Sequence, residues 1–335
     1  MRSVRIGFGL LFLASAVVCS AAEDVMLKYL PTGTEYVVSA DADALRKLPF
    51  VRNLLTSGNS DLKAYRENFE RDYNLRLEDC SRLLWVGGGK RIRGMLAETR
   101  IPESALAARF RRFGDRFSIS AERGRKLYCL ESTDSIPAAR TTVALTYLTP
   151  GLVLATEQEY IAPFLNGLTA PGSNRLRQIR APRGTPPAWS FINVGALTSG
   201  KKKQKSFADV MLRGVRTIEI EFQPAADGFG WRLSGIAWCR DASQAAMVSM
   251  QVPMLLQLGA GLLFADDPAL GADLLRRVKI APDRDLVRFE LDVSKSLAGR
   301  LGIFLENEAK KRIAPPDPVL LPEPVAAGHT SGTTE

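Results

Sequence analysis

The stretch from Ala242 to Ala265 contains no charged residue, although charged residues make up 24% of the chain. Asp241 precedes the stretch and Gln244 follows three residues later, which is the capping-box pattern of a helix start. The apolar residues cover all sides of the predicted helix, as is typical of a helix enclosed by protein or by lipid. The stretch would suffice for a membrane span of ~20 residues.

The polar content of this stretch argues against a span. Six of its residues are polar or interrupt helices: Ser243, Gln244, Ser249, Gln251, Pro253 and Gln257. Such residues are unfavourable in hydrocarbon. We therefore predict a helix buried inside a folded domain, kinked or ended by Pro253.

The N-terminus has the pattern of a secretory signal peptide. Arg2 and Arg5 are followed by an apolar run and by small residues up to Ala22. A lipid anchor on Cys19 is disfavoured because valines stand where small residues are expected before it. We predict a signal peptide over residues 1–22, cleavage after Ala22, and a mature protein in the periplasm or at the cell surface of a bacterium.

The charge balance restricts the partners. The formal net charge is +9, of which two charges lie in the predicted signal, leaving +7. Outside the cytoplasm the available polyanions are lipid head groups and acidic cell-wall polymers, so no nucleic-acid partner is expected. Candidate binding residues for such an anionic surface are Lys201, Lys202, Lys203, Lys205, Arg91 and Arg93. An ordinary solvated surface explains the same residues.

Cysteine and histidine usage excludes the commonest catalytic designs. The predicted mature chain keeps Cys80, Cys129 and Cys239, which permit one disulfide and a free thiol, or three buried thiols. The single histidine, His329, lies in the C-terminal tail. A folded part without histidine offers no Ser-His or Cys-His pair and no histidine-ligated zinc. We predict no metal, no cofactor and no catalytic residue.

Three short motifs have structural explanations that we prefer. Gly87-Gly88-Gly89-Lys90 predicts a hairpin turn, because Arg91 stands where a phosphate loop needs Ser or Thr. Asp41 and Asp43 are expected to cap a helix rather than bind calcium. Ser199 and Lys202 have the Ser-x-x-Lys spacing of a lysine-activated serine, but the companion motifs of that enzyme class are missing. Paired carboxylates for glycoside cleavage stay open, because such residues meet in space.

The order of predicted elements indicates an α+β fold with two related halves, each a mostly antiparallel sheet packed with helices. Both halves have the order strand, helix, strand hairpin, helix, strand, helix, and the hairpins are Arg82–Glu98 and Thr217–Trp238. This shared order predicts an internal duplication. The predicted segments after the signal are 23–170 (first half), 171–187 (a linker rich in Pro, Gly and Arg), 188–313 (second half) and 314–335 (a disordered Pro-rich tail).

The mature N-terminus carries a recurring pattern. Leu30-Pro31 is followed by the strand Tyr36 to Asp41, then by Leu45 and Leu48-Pro49. This resembles the start of uncharacterised exported bacterial envelope proteins. The resemblance implies an exported protein and carries no catalytic residues.

These observations predict a non-catalytic structural or interaction protein of the bacterial envelope. Its expected partner is another envelope protein or an anionic envelope surface, with no transmembrane segment after signal cleavage and with the oligomeric state open. One alternative is a periplasmic carrier whose Met247, Met250 and Met254 line a cavity for an apolar ligand. A hydrolase based on carboxylates or on a Ser-Lys pair is the other alternative.

Overall fold

The computed structural model describes residues 26–48, 51–52, 67, 69–70, 75–89, 92–131, 142–167, 186–195, 214–225 and 229–313. The predicted signal peptide, the lysine run Lys201–Lys205, most of the predicted linker and the Pro-rich tail lie outside these residues. The predictions for those segments are therefore not tested.

The described strands form one antiparallel sheet of twelve strands. Their bounds are β1 (Tyr36–Asp41), β2 (Cys80–Gly88), β3 (Ile92–Thr99), β4 (Phe117–Glu122), β5 (Arg125–Glu131), β6 (Thr142–Thr149), β7 (Leu152–Glu157), β8 (Ala188–Asn193), β9 (Val215–Pro224), β10 (Trp231–Cys239), β11 (Val278–Asp283) and β12 (Leu286–Val293). The order across the sheet is β11-β12-β10-β9-β8-β1-β2-β3-β7-β6-β5-β4. The α+β class and the antiparallel pairing are confirmed.

The two predicted halves share this sheet, so the expectation of one sheet per half is wrong. Val38 on β1 lies opposite Trp85 of β2 on one side and opposite Ser190 of β8 on the other. The opening strands of the two halves thus pair with each other. This pairing removes two sheet edges that separate halves would expose, and an exposed edge is a site of unwanted strand pairing.

Both predicted hairpins are present, next to the central pair of strands. Outward from β1 the order is β1-β2-β3, and outward from β8 it is β8-β9-β10. Gly89, between β2 and β3, has a φ of 53°, which suits the glycine that the sequence places in the turn. The shared hairpin positions are a property of the topology, and duplication stays a prediction.

Helices cover the sheet. The α-helices whose bounds lie within the described residues are α1 (Ala42–Leu45), α2 (Glu103–Arg111), α3 (Ile161–Gly167), α4 (Ala242–Leu263), α5 (Pro268–Arg277) and α6 (Lys295–Ile313). The described residues also include short 3-10 helices at Leu77–Asp79, Gly114–Arg116 and Gln158–Tyr160. The cap predicted at α1 is confirmed, since the Asp41 carboxylate accepts a bond from the Ala44 N–H at 2.8 Å.

The core lies on both sides of the first half's strands. Leu84 packs in a cluster with Phe164 of α3, while the neighbouring Leu83 packs with Phe110 of α2. Successive side chains of a strand point to opposite faces, so the two clusters lie on opposite sides of the sheet. The inner strands of this half are therefore buried on both faces, as the apolar run of β7 indicates, whereas the edge strand β4 is largely exposed.

The second half is covered by α4, α5 and α6. On β10, Trp231 packs with Leu297 of α6, and Ala237 packs with Val248 of α4. Trp231 and Ala237 are six residues apart and so share one face of the strand. Helices α5 and α6 thus cover one end of these strands, and α4 covers the other end.

The described cysteines Cys80, Cys129 and Cys239 are free and buried, which decides between the two possibilities left by the sequence. Burial raises the pKa of the Cys80 thiol to about 12, and the nearby Asp79 carboxylate adds a smaller effect in the same direction. The thiols therefore act as small apolar side chains.

Candidate functional site: an exposed apolar helix

Helix α4 packs on the sheet along one narrow stripe. Ala245 and Val248 are buried and Val252 is half-buried, and their neighbours include Val215 and Val287 from the strands beneath. The spacing of three and four residues places this stripe on one side of the helix. It fixes the helix to the sheet and leaves the opposite side facing away.

The opposite side of α4 is apolar and exposed. It consists of five side chains spaced by three or four residues, which we call the outer apolar face: Met247, Met250, Met254, Leu258 and Leu262. The exposed fraction is 68% for Met250, 62% for Met254, 61% for Leu258 and 83% for Leu262. Leu256 and Leu263, four and eleven residues after Val252, follow the spacing of the packing stripe and are nevertheless exposed as well. A continuous apolar patch of this kind marks a binding surface on a soluble protein.

The prediction of a buried helix is therefore wrong. Only Ala245 and Val248 among the 22 residues of α4 are buried. The strands beneath offer one contact surface, and in the described part of the chain no second layer covers the outer side. The sequence pattern, apolar on all sides, is shared by helices enclosed in protein and helices that meet lipid, so it does not separate the two.

Both ends of α4 are held in place. The Asp241 carboxylate accepts a bond from the Gln244 N–H at 2.8 Å, which confirms the predicted cap. After the helix, the rings of Phe264 and Phe304 lie 4.9 Å apart and join this end to α6. Asp267 then caps α5 by accepting a bond from the Leu270 N–H at 2.9 Å.

Pro253 lies inside α4 and does not end it. A proline removes one backbone donor, so the carbonyl four residues earlier, that of Ser249, loses its helical partner. The Ser249 hydroxyl donates to the Ala246 carbonyl at 2.8 Å, which satisfies the hydroxyl within the helix. Such local bonds reduce the cost of polar side chains on an otherwise apolar helix.

By length and composition, α4 is the one helix among the described residues that is long and apolar enough to cross a membrane. A helix of this length measures ~33 Å. The side that packs on the sheet would have to leave the strands for the helix to span.

Of the six predicted basic binding residues, the structure describes only Arg93. Arg93 is exposed, and its Nη1 lies 3.2 Å from Oε1 of Glu157. Arg91, Lys201, Lys202, Lys203 and Lys205 lie outside the described residues, so the anionic-surface prediction for them is not tested. The methionines proposed to line a cavity face outward on α4 instead, which removes the observation that favoured an apolar-ligand carrier.

Two carboxylates lie close together on β9. Glu219 and Glu221 are two residues apart and so share one face of the strand. Burial, followed by the charge of Glu219, raises the pKa of the Glu221 carboxyl. Trp238 Nε1 donates to Glu219 at 3.2 Å, and Gln223 donates to Glu221 at 3.5 Å. The pair is held by neighbouring side chains, and we assign it no catalytic role.

Metal binding finds no support in the part of the chain that the structure describes, where no group of three His, Cys, Asp or Glu side chains is placed to hold an ion. The outer apolar face carries no acid, no base and no Ser, Cys or Lys side chain. The chemistry that this site offers is apolar contact.

Comparison with known proteins gives one structural likeness. The chain matches the solved structure of crystal form I of TP0453, with a TM-score of 0.42 and 10% sequence identity. The match covers 84% of this chain and 96% of that chain. No protein-family model and no curated protein sequence matches this chain. At this identity and TM-score, the likeness carries no conclusion about ligands or activity.

Proposed function

We propose that the protein binds the surface of a lipid bilayer in the bacterial envelope through the outer apolar face of α4, without catalysing a reaction. The observation that carries this proposal is the exposure of Met250, Met254, Leu258 and Leu262 on a helix with no charged residue. The expected signal peptide supports a location where such a bilayer is accessible.

The energetics favour burial of this face in lipid. Moving one Leu or Met side chain from water to an apolar phase is worth ~1.5–3 kcal/mol, so partial insertion of five gives on the order of 5–10 kcal/mol. A micromolar dissociation constant corresponds to about 8 kcal/mol. The outer apolar face alone is therefore large enough for measurable binding.

The chemistry of the face favours lipid over a protein partner. Protein interfaces concentrate their binding energy in Trp, Tyr and Arg side chains, whereas the outer apolar face contains only Met and Leu. Exposed polar side chains on α4 are limited to Ser243 and Gln257. Hydrocarbon provides no hydrogen-bond partners, so a surface with few hydrogen-bonding side chains is compatible with contact to lipid tails.

The helix is expected to lie in the plane of the interface rather than to span it. Interfacial helices usually place a polar face toward water. In this protein the folded domain, rather than a polar helix face, lies on the water side of α4, because Ala245 and Val248 fix the inner side of the helix to the sheet. Spanning would expose that part of the core.

Vesicle flotation tests the proposal. The wild-type protein should float with phosphatidylcholine vesicles, and Met254→Glu and Leu258→Glu should each lower the partition coefficient about tenfold or more. Glutamate is a good helix former, so both variants should keep the melting temperature of the wild type. Ile119→Glu is the matched control, because Ile119 is equally apolar and exposed but lies on β4 at the opposite end of the sheet.

Two outcomes would overturn lipid binding. One is flotation of both glutamate variants at the wild-type level. The other is a wild-type protein that does not bind vesicles but dimerises in solution, with Met254→Glu restoring the monomer. The outer apolar face would then bind a second copy of the chain.

We also infer that the two halves arose by duplication. The support is the equivalent position of the β2–β3 and β9–β10 hairpins on either side of the central strands. Limited trypsin digestion near residue 180 tests this inference by dividing the chain into its two halves. The two fragments should stay associated through β1 and β8. After separation, two halves that descend from one ancestral core should give similar circular-dichroism spectra.

A further inference from the structure

The methionines of the described chain fall into two groups of opposite accessibility. Met26 and Met95 are each 1% exposed and belong to the core. Met247, Met250 and Met254 are exposed, and all three lie on the outer apolar face of α4. An oxidant dissolved in water therefore reaches the thioethers of the binding face and not those of the core.

We propose that Met250 and Met254 form an oxidation site that switches off lipid binding by α4; this inference rests on the proposed function. The co-reactant is a peroxide. A lone pair of the thioether sulfur attacks one peroxide oxygen, the S–O bond forms and the O–O bond breaks. The sulfur is oxidised by two electrons and keeps that oxygen as a sulfoxide, while the other peroxide oxygen leaves as hydroxide and takes the proton of the transferred oxygen to become water.

The product is unsuited to hydrocarbon. A sulfoxide is polar and accepts hydrogen bonds, whereas the thioether that it replaces is apolar and adapts to irregular surfaces. Burying a polar group without a hydrogen-bond partner is unfavourable. Oxidation at the centre of the outer apolar face therefore opposes insertion at the position where insertion is deepest.

The fold should tolerate this change. Ala245 and Val248, which attach α4 to the sheet, contain no sulfur and lie on the other side of the helix. Asp241 and Phe264 hold the two ends independently of the methionines. The oxidised protein should keep its structure and lose only its affinity for lipid.

Lipid binding should in turn protect the site. When the outer apolar face is inserted, Met250 and Met254 leave the aqueous phase and peroxide reaches them more slowly. Oxidation therefore acts on the unbound protein and holds it in that state. Reduction by a methionine sulfoxide reductase would restore binding, because sulfoxide formation is reversible.

The test combines peroxide treatment, peptide mass spectrometry and flotation with phosphatidylcholine vesicles. Brief treatment should oxidise Met250 and Met254 before Met26 and Met95, and it should lower the partition coefficient about tenfold or more. Methionine sulfoxide reductase should restore the untreated value. The control is the variant Met247→Leu with Met250→Leu and Met254→Leu, which lacks the reactive sulfurs. Its partition coefficient should be the same with and without peroxide, each measured against its own untreated sample.

The outcomes separate this inference from the proposed function. If untreated wild-type protein fails to float, lipid binding is wrong and the switch falls with it. If untreated protein floats and protein with sulfoxide at both positions floats equally well, lipid binding stands and the switch is overturned. Loss of flotation in the peroxide-treated leucine variant would also overturn it, because the damage would then lie elsewhere.

Discussion

Val248 and Met250 lie two residues apart on α4 and point to opposite sides of the helix, so that Val248 is buried against the strands and Met250 is exposed. The composition of the two sides is the same, apolar and uncharged. Their environments differ completely. The effect of an aspartate substitution on stability should therefore differ between the packed position 248 and the exposed position 250.

The first prediction is that Val248→Asp destabilises the protein and Met250→Asp does not. A carboxylate at position 248 would be buried among apolar side chains, and we expect a loss of about 3 kcal/mol or more in the free energy of unfolding. At position 250 it would face water, with a change within about 0.5 kcal/mol. Urea unfolding of both variants is the measurement. A large loss at Met250→Asp would show that α4 is enclosed.

The secondary structure could be predicted from the sequence because it depends on neighbouring residues. In β12, Val287 enters the core while Arg288 is exposed and forms a 3.1 Å ion pair with Asp283, as the alternating pattern predicts. The caps at Asp41 and Asp241 followed from residue type and spacing in the same way.

Pairing of distant strands was not predictable by the same reasoning. No local pattern says that Ser39 of β1 will lie opposite Trp189 of β8, about 150 residues away. The exposure of α4 could not be predicted for a related reason. Whether an apolar helix face is covered depends on which other parts of the chain pack against it. The proposed binding residues Met250, Met254, Leu258 and Leu262 carry a signal, their spacing of four, but that spacing alone also fits a core helix.

A second prediction concerns Gly94, which allows a ring to approach the sheet. A Cβ added at Gly94 would lie 2.6 Å from Cζ of Phe164, a buried residue of α3. We expect Gly94→Ala to lower the free energy of unfolding by about 1–3 kcal/mol, because the ring must shift in a packed core.

Two variants control the Gly94 experiment. Gly302→Ala, in α6, meets no atom within 4 Å and should be neutral or stabilising by about 0.5–1 kcal/mol. Phe164→Leu should remove part of the clash, so the double variant with Gly94→Ala should lose less than the sum of the single losses. Strict additivity would mean that the ring and the glycine do not constrain each other.

The third prediction is a loss of stability at alkaline pH that depends on Cys80. The folded protein holds the pKa of this thiol at about 12, mainly through burial, while the unfolded chain ionises it at ~8.5. Above that unfolded value, the unfolded state has released a proton that the folded state keeps. The free energy of unfolding therefore falls as the pH rises from about 8.5 toward 12, and the contribution is fully present below about pH 8.

Cys80→Ala isolates this effect. Between about pH 8 and pH 10, the variant should show a shallower fall in the free energy of unfolding than the wild type, measured by urea unfolding at each pH. The folded wild type should also resist alkylation by iodoacetamide at about pH 9, because the thiolate is the nucleophile. Equal pH slopes in the two proteins would contradict the raised pKa.

A fourth prediction addresses export, for which the sequence supplies Arg2, Arg5 and the small residues up to Ala22. N-terminal sequencing of the protein recovered from the bacterial envelope should begin at Glu23. Replacing Arg2 and Arg5 with glutamate should retain the precursor in the cytoplasm, because the basic start of a signal peptide sets its orientation during export. Protein that keeps Met1 and stays in the cytoplasm would exclude an envelope function.

The last prediction distinguishes the two candidate membrane contacts of the chain, the outer apolar face and the basic residues. Helix α4 carries no charge, so its attachment to phosphatidylcholine vesicles should change little when the salt concentration rises from about 0.1 M to about 1 M, which shortens the Debye length from ~10 Å to ~3 Å. Attachment through Lys201, Lys202, Lys203 and Lys205 would weaken steeply over the same range and would need anionic lipid. Replacing these four lysines with glutamine should therefore leave flotation with phosphatidylcholine unchanged, while Leu258→Glu should lower the partition coefficient about tenfold or more. Binding that disappears in high salt, or that survives Leu258→Glu and is lost with the lysines, would assign the membrane contact to the basic residues instead of α4.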